Sequence, residues 1–195
     1  MRSDPATVAV PDALFILAAG PMNAAPHLGP VLPAYVDAFG IKGVMLQPES
    51  RGEVTLASAD PAAAPIIRQN FLSTEGDRRT IRAMVRRMRA IGAEPALRPF
   101  IAEELAPGPA ARTDADIDAF VRRAAITLHH PVGTCRMGAD GDPDAVLDDQ
   151  ARVRGVDGLR VVDGAAIPRT VRGGTNAPIM MIAEKVADRM LGNTA

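Results

Sequence analysis

Leu128-His129-His130-Pro131-Val132-Gly133-Thr134-Cys135-Arg136-Met137-Gly138 divides this 195-residue chain into two parts of different character. Before it, apolar residues recur at helical spacing. After it, short apolar runs alternate with Gly and Asp turns. The stretch itself holds two of the three histidines and the sole cysteine. Pro131 and Gly133 follow His130 closely, so its imidazole is expected on a stiff, tight loop. Loops on a rigid scaffold are where catalytic groups concentrate, and imidazole titrates near neutrality. Taken alone, a histidine is more often structural than catalytic. Cys135 reads as a small buried residue before it reads as a reactive thiol. Arg136 and Met137 read as packing and loop anchoring.

Upstream, Thr74 to Gly92 is the clearest helix. Ile81, Met84, Val85, Met88 and Ile91 form one apolar stripe. Thr74 or Asp77 caps its start, and Gly92 with Pro95 ends it. The six arginines from Arg78 to Arg89 read as a solvated face before they read as a patch for an acidic partner. Asp114 to Ala125 is a second helix, with Ile117, Val121 and Ala124 inward and Thr113 as N-cap. Ala96 to Leu105 reads as a third, shorter one. Near the start, Leu14 to Leu17 reads as a short buried strand between Pro11 and Gly20. Gly20 to Pro33 is a loop. Gly43 to Gln47 and Glu53 to Ser58 are strands, the second with Val54 and Leu56 on one face.

Downstream, Ala151 to Arg154 and Leu159 to Val162 read as strands about Gly155-Val156-Asp157-Gly158, a hairpin signal. Leu159 to Pro168 reads as a buried strand running into an Asp163-Gly164 turn, and Asp163 to Asn176 as a loop. Arg172-Gly173-Gly174-Thr175-Asn176-Ala177-Pro178 is a Gly-Gly loop feeding a helix from Pro178 to Leu191, with Thr175 or Asn176 as cap. Such a start leaves free backbone N–H groups at the positive end of the helix dipole. That suits an anion or an electron-rich ring edge, though an ordinary helix cap is the plainer reading.

Composition bounds the classes. Hydrophobic residues are 47%, which is globular. Lys plus Arg is 22 against 23 Asp plus Glu, so no basic field attracts nucleic acid or anionic lipid. With 17 Gly and 17 Pro, many turns are expected, not a helical bundle. One cysteine excludes an internal disulfide and argues against a zinc site, so no metal is expected. The apolar run Ala13 to Ala19 is far short of the roughly 20 residues that span a bilayer. Met1 to Asp12 lacks a basic n-region, so no signal peptide is expected, and the cytoplasm is the expected location.

The three motifs in this order resemble the glucose–methanol–choline (GMC) oxidoreductase family. They are His-Pro-x-Gly-Thr-Cys-Arg-Met-Gly, then Gly-Leu-Arg-Val-Val-Asp-Gly, then Thr-Asn-Ala-Pro before a helix. Pro48-Glu49-Ser50-Arg51-Gly52-Glu53-Val54 and Leu56-Ala57-Ser58-Ala59-Asp60-Pro61 resemble that family's entry to its substrate domain. The resemblance implies an FAD-dependent enzyme that oxidises the CH–OH group of a small alcohol, with the hydride passing to the flavin. It implies that His130 is the catalytic base, with His129 secondary. Asn176 stands where the family holds His or Asn and completes the pair. Asp163, Gly164 and Ala165 match a segment that touches FAD, and Asn176, Ala177 and Pro178 lie in the family near the flavin's pyrimidine edge. The Thr-Asn-Ala-Pro form resembles the choline-type branch.

One departure matters. The family's Gly-x-Gly-x-x-Gly dinucleotide fingerprint is absent from this sequence, so most FAD contacts are expected from an N-terminal portion outside the chain. The chain is therefore expected to be a C-terminal piece, inactive by itself. The alternatives are a non-catalytic substrate-domain remnant without FAD, or a hydroxynitrile-lyase-like activity on the same scaffold. The implied fold is α+β: an antiparallel sheet flanked by helices, plus a strand–loop–helix segment that completes an FAD-binding domain. The implied division is residues 1–42 as a partial substrate-domain entry, 43–138 as the substrate domain with the histidine loop, and 139–195 as the returning segment. Met180, Met181 and Met190 are expected to be exposed where the FAD portion belongs.

Overall fold

A computed structural model describes residues 1–20 and 37–192. His27 and most of the loop expected from Gly20 to Pro33 lie outside the described residues. The architecture is α+β, with three helices and two separate two-stranded antiparallel sheets among the described residues. Two compact units interleave along the chain. One comprises Met1–Met45 and Glu75–Ala125, the other Leu46–Thr74 and Ile126–Ala195.

In the first unit, β1 (Ala13–Ala18) pairs antiparallel with β2 (Gly40–Met45), Ala13 facing Met45 and Ala18 facing Gly40. β2 begins three residues before the apolar run that signals it, because its limits are set by the length of β1. The expected buried strand is present, but of its residues only Ala13 is buried; Leu14, Ile16 and Leu17 are exposed. Helix α1 (Glu75–Gly92) lies against β2 and α2 (Asp114–Ala124). Its stripe behaves as the spacing predicts: Met84 and Val85 are buried, and Ile81, Met88 and Ile91 are half-buried. Ile117 and Val121 of α2 complete the core. Full burial of side chains of this size is worth about 1.5–3 kcal/mol each. Gly43 makes the packing possible, since a Cβ there would come within 2.8 Å of Met84 Cε.

The arginine run of α1 is more than a solvated face. Arg82 donates to both carboxylate oxygens of Asp118, at 2.7 and 2.5 Å, and to Glu75 at 2.9 Å. Arg86 pairs with Asp114. Arg89 donates to Glu104 and to the carbonyls of Ala111 and Gly108 at 2.6 and 2.9 Å. These bonds tie α1 to α2 and to the connection between them. The Arg82 hydrogen bond holds the Asp118 carboxyl below its ordinary value. Thr113 caps α2 as expected: its hydroxyl accepts from Asp116 N–H, and the Asp116 carboxylate accepts from Thr113 N–H. The helix expected over Ala96 to Leu105 shrinks to one 3₁₀ turn, Arg98–Phe100. Pro99 lies inside it, with no N–H to extend a helix.

In the second unit, β3 (Glu53–Thr55) pairs antiparallel with β4 (Ile66–Arg68). The strand expected to reach Ser58 stops at Thr55 because β4 is three residues long. Beyond it the chain turns at Asp60, whose carboxylate accepts from Ala62 N–H. The hairpin expected at 151–162 is reduced to bridges, Arg152 with Arg160 and Leu147 with Val153. Val153 N–H donates to Leu159 and Val161 N–H to Ala151, while Arg154 N–H goes to Val146. The arms thus pair directly but briefly, and residues 146–148 pair along the outer edge of 151–154. Leu159, expected in a buried strand, is exposed. Leu147, Ala151, Ala166, Ile167 and Val186 form the core. Helix α3 spans Asn176–Met190, starting two residues before Pro178. Met180, Met181 and Met190 are exposed on it.

Candidate active site

The three motifs meet inside the second unit. The histidine loop runs beside a 3₁₀ turn, Gly164–Ala166. Alternate amides of the loop donate to successive carbonyls of the turn: Gly133 to Gly164 at 3.2 Å, Cys135 to Ala165 at 3.0 Å, Met137 to Ala166 at 3.0 Å. Asp163 stands at the N-cap of the turn, and its carboxylate accepts from Ala165 N–H at 2.7 Å. That local bond shapes the turn. Gly133 lies in the left-handed region at φ +87°, where a Cβ would also stand 3.2 Å from the Ile167 carbonyl. Only glycine suits it.

Gly164 joins all three motifs. A Cβ at this position would lie 3.4 Å from the Pro131 carbonyl and 3.1 Å from Ile179 Cδ1. Pro131 directly follows His130, and Ile179 directly follows Pro178 in the first turn of α3. The missing side chain lets the histidine loop and the helix start approach the same point.

His130 is exposed, as is His129. His129 adopts φ +60°, and its N–H donates to Thr127 Oγ1 at 3.0 Å. A left-handed conformation costs a non-glycine residue roughly 1–2 kcal/mol. Backbone outliers of this kind cluster at functional sites. Histidine is among the non-glycine residues enriched in that region. Downstream, Arg136 anchors the loop by a two-pronged contact with Asp142 at 2.7 and 2.8 Å. The Arg136 guanidinium holds the Asp142 carboxyl below its usual value. Cys135, expected to be buried, is half-buried and free.

Asn176 is the exposed first residue of α3, and Ala177 beside it is also exposed. Thr175 occupies the N-cap position and is buried, but its hydroxyl makes no cap bond. Helical bonding begins with Ile179 N–H to Thr175 O at 3.0 Å. The N–H groups of Asn176 and Ala177 therefore have no protein acceptor among the described residues, and Pro178 has no N–H. The positive end of the helix dipole is left uncapped beside Gly164. A Gly at 164, a side-chain-capped turn and two free amides fit a flat, electron-rich ring edge. Among the described residues no group of three His, Cys, Asp or Glu is placed to hold a metal. None of their helices is long and apolar enough to cross a membrane.

A family model described as GMC oxidoreductase matches residues 48–183. The oxygen-dependent choline dehydrogenase of Vibrio vulnificus (strain YJ016) is 48% identical over 145 residues, covering 74% of this chain and 26% of that protein. The mitochondrial choline dehydrogenase of Homo sapiens is 44% identical over 164 residues, covering 84% and 28%. Pyridoxine 4-oxidase from Mesorbium loti superposes with a TM-score of 0.85 at 32% identity, over 100% of this chain and 37% of that one. A fungal aryl-alcohol oxidase superposes with a TM-score of 0.69 at 31% identity, over 76% and 24%. The chain thus spans about a quarter of the length of the choline dehydrogenases it matches. It belongs to the GMC oxidoreductase family, as a C-terminal domain of that family.

Proposed function

We propose that this chain supplies the alcohol-handling part of an FAD-dependent oxidoreductase acting on CH–OH groups. The observation that carries the reading is the convergence on Gly164, which gathers the histidine loop, the Asp163 turn and the uncapped start of α3. Relatives named as choline dehydrogenases favour a small alcohol of the choline type.

His130 is the general base. An imidazole accepts the hydroxyl proton as the C–H bond is broken, and in its charged form stabilises negative charge nearby. Asn176 does not titrate; its amide orients the alcohol oxygen by hydrogen bonding. Asp163, Gly164, Ala165, Asn176, Ala177 and Pro178 are the residues that would hold part of the FAD, and the two free amides of α3 would offer it hydrogen-bond donors. When bound, FAD supplies the hydride acceptor. The sequence lacks the dinucleotide fingerprint, so the remaining cofactor contacts fall to an N-terminal FAD-binding portion, and the isolated chain is inactive.

Co-expression with an FAD-binding portion of a family member tests the reading. Copurified flavin that bleaches on adding an alcohol is the expected result. A flavin-free complex, or bound flavin that no alcohol reduces, would sink it. Bleaching also separates alcohol oxidation from a lyase reaction, which leaves the flavin oxidised.

A further inference from the structure

The segment Pro168–Gly174 leads from the Asp163 turn to the start of α3, and it is thinly held. Pro168, Arg169, Arg172, Gly173 and Gly174 are exposed. A Cβ on Gly173 or Gly174 would meet nothing within 4 Å. Among the described residues this segment makes two hydrogen bonds to the rest of the unit, and one side chain makes both. Gln47 Nε2 donates to the Thr170 carbonyl at 3.1 Å, and Arg172 Nε donates to Gln47 Oε1 at 2.8 Å. The partners are 123 and 125 residues apart in sequence.

The chemistry suits an amide. The Thr170 carbonyl needs a donor and the Arg172 guanidinium needs an acceptor. A glutamine offers both from one rigid plane, and only one orientation of that plane satisfies the two at once. A carboxylate keeps the Arg172 contact and loses the donor; an apolar side chain loses both.

We propose that Gln47 is a positioning residue that clamps the loop carrying Asn176. The proposal rests on the function assigned to Asn176 above. Three residues separate Arg172 from Asn176, and two of them are glycines with no packing of their own. Between the Gln47 contacts and the buried Thr175, the two glycines supply no restraint of their own, so the clamp is what holds the loop leading to Asn176. A displacement of about 1 Å at a reacting group can cost about a hundredfold in rate.

Limited trypsin proteolysis of the 195-residue chain reads the clamp, because Arg169 and Arg172 lie in the segment and are exposed. In Gln47→Met, cleavage after Arg169 and Arg172 should be about ten- to a hundredfold faster, the size expected when two ordinary hydrogen bonds are lost. Cleavage after Arg154 should be unchanged. Gln47→Glu should be intermediate, and it carries the test if the methionine variant does not fold. Unchanged cleavage after Arg169 and Arg172, or Glu as fast as Met, overturns the two-point clamp. In the FAD-loaded enzyme, Gln47→Met should lower kcat/KM in the parent and have little further effect in an Asn176→Ala background. Additive losses mean that Gln47 does not act through Asn176. If His130→Ala is fully active in the same enzyme, the functional assignment fails while the proteolysis result stands.

Discussion

Gly133 N–H donates to the carbonyl of Gly164 at 3.2 Å, and each of the two is a glycine for its own reason. Gly133 is in a left-handed conformation; a Cβ on Gly164 would stand 3.1 Å from Ile179 Cδ1. Gly133→Ala should destabilise the unit by roughly 1–2 kcal/mol through backbone strain. Gly164→Ala should cost about 1–3 kcal/mol through overpacking against Ile179. Truncating the neighbour relieves the second and not the first. Ile179→Ala should therefore partly compensate Gly164→Ala in thermal unfolding and leave the Gly133→Ala penalty intact.

His130→Ala in the assembled, FAD-loaded enzyme should lower turnover by about 100- to 10,000-fold, the usual range for losing a positioned general base. His129→Ala should lower it far less. His129→Gly should raise stability by roughly 1 kcal/mol, because it relieves the left-handed strain at φ +60°. Steady-state kinetics and thermal melts of the three variants check this; equal losses at the two histidines would refute the assignment.

Asn176 orients without titrating. Asn176→Ala should lower kcat/KM and leave the pH profile in place, while His130→Ala should remove the fall in rate at low pH that protonation of a general base produces. A pH–rate profile of each variant separates the two roles.

The Arg82–Asp118 contact makes stability depend on pH. The Arg82 guanidinium depresses the folded-state value for the Asp118 carboxyl. Its contribution is therefore present above the unfolded carboxyl value, near pH 4, and is lost as pH falls below that through the lower folded value. Asp118→Asn should unfold at lower temperature than the parent at pH 7. The gap should narrow as the pH approaches 3. A gap that holds constant between those pH values would mean the carboxylate charge is not what Arg82 recognises.

Thr113→Ala removes the capping box of α2 and should cost about 1 kcal/mol, seen in chemical unfolding of the chain.

Much of the architecture could be read before any coordinates. The stripe from Ile81 to Ile91 and the Thr113–Asp116 cap rest on residues three and four apart, so their partners are already neighbours along the chain. The same holds for the short motifs around His130, Asp163 and Asn176, each of which is a continuous run. Expectations failed where a segment's state depended on a distant partner. Ile66–Arg68 is too short to carry a strand signal, and it becomes one only because Glu53–Thr55 pairs with it. The arms of the 151–162 hairpin pair with each other only briefly, and the first arm takes Leu147 along its other edge, a partner that no local signal predicts. Leu14, Ile16 and Leu17 are apolar enough for a core, yet they lie on a two-stranded sheet that the first unit leaves uncovered.

By itself, then, the order of residues determined which chemistry this chain is equipped for, because imidazole, amide and glycine are identifiable wherever they stand. Tertiary structure alone decided that Pro131, Gly164 and Ile179 share one point. It also decided that α1's arginines are spent on α2 and that Gln47 reaches Thr170 and Arg172. These are contacts between segments from about fifteen to more than a hundred residues apart. No local propensity encodes them; they follow from how buried apolar surfaces close on one another and from which polar groups are left within hydrogen-bond reach once they have.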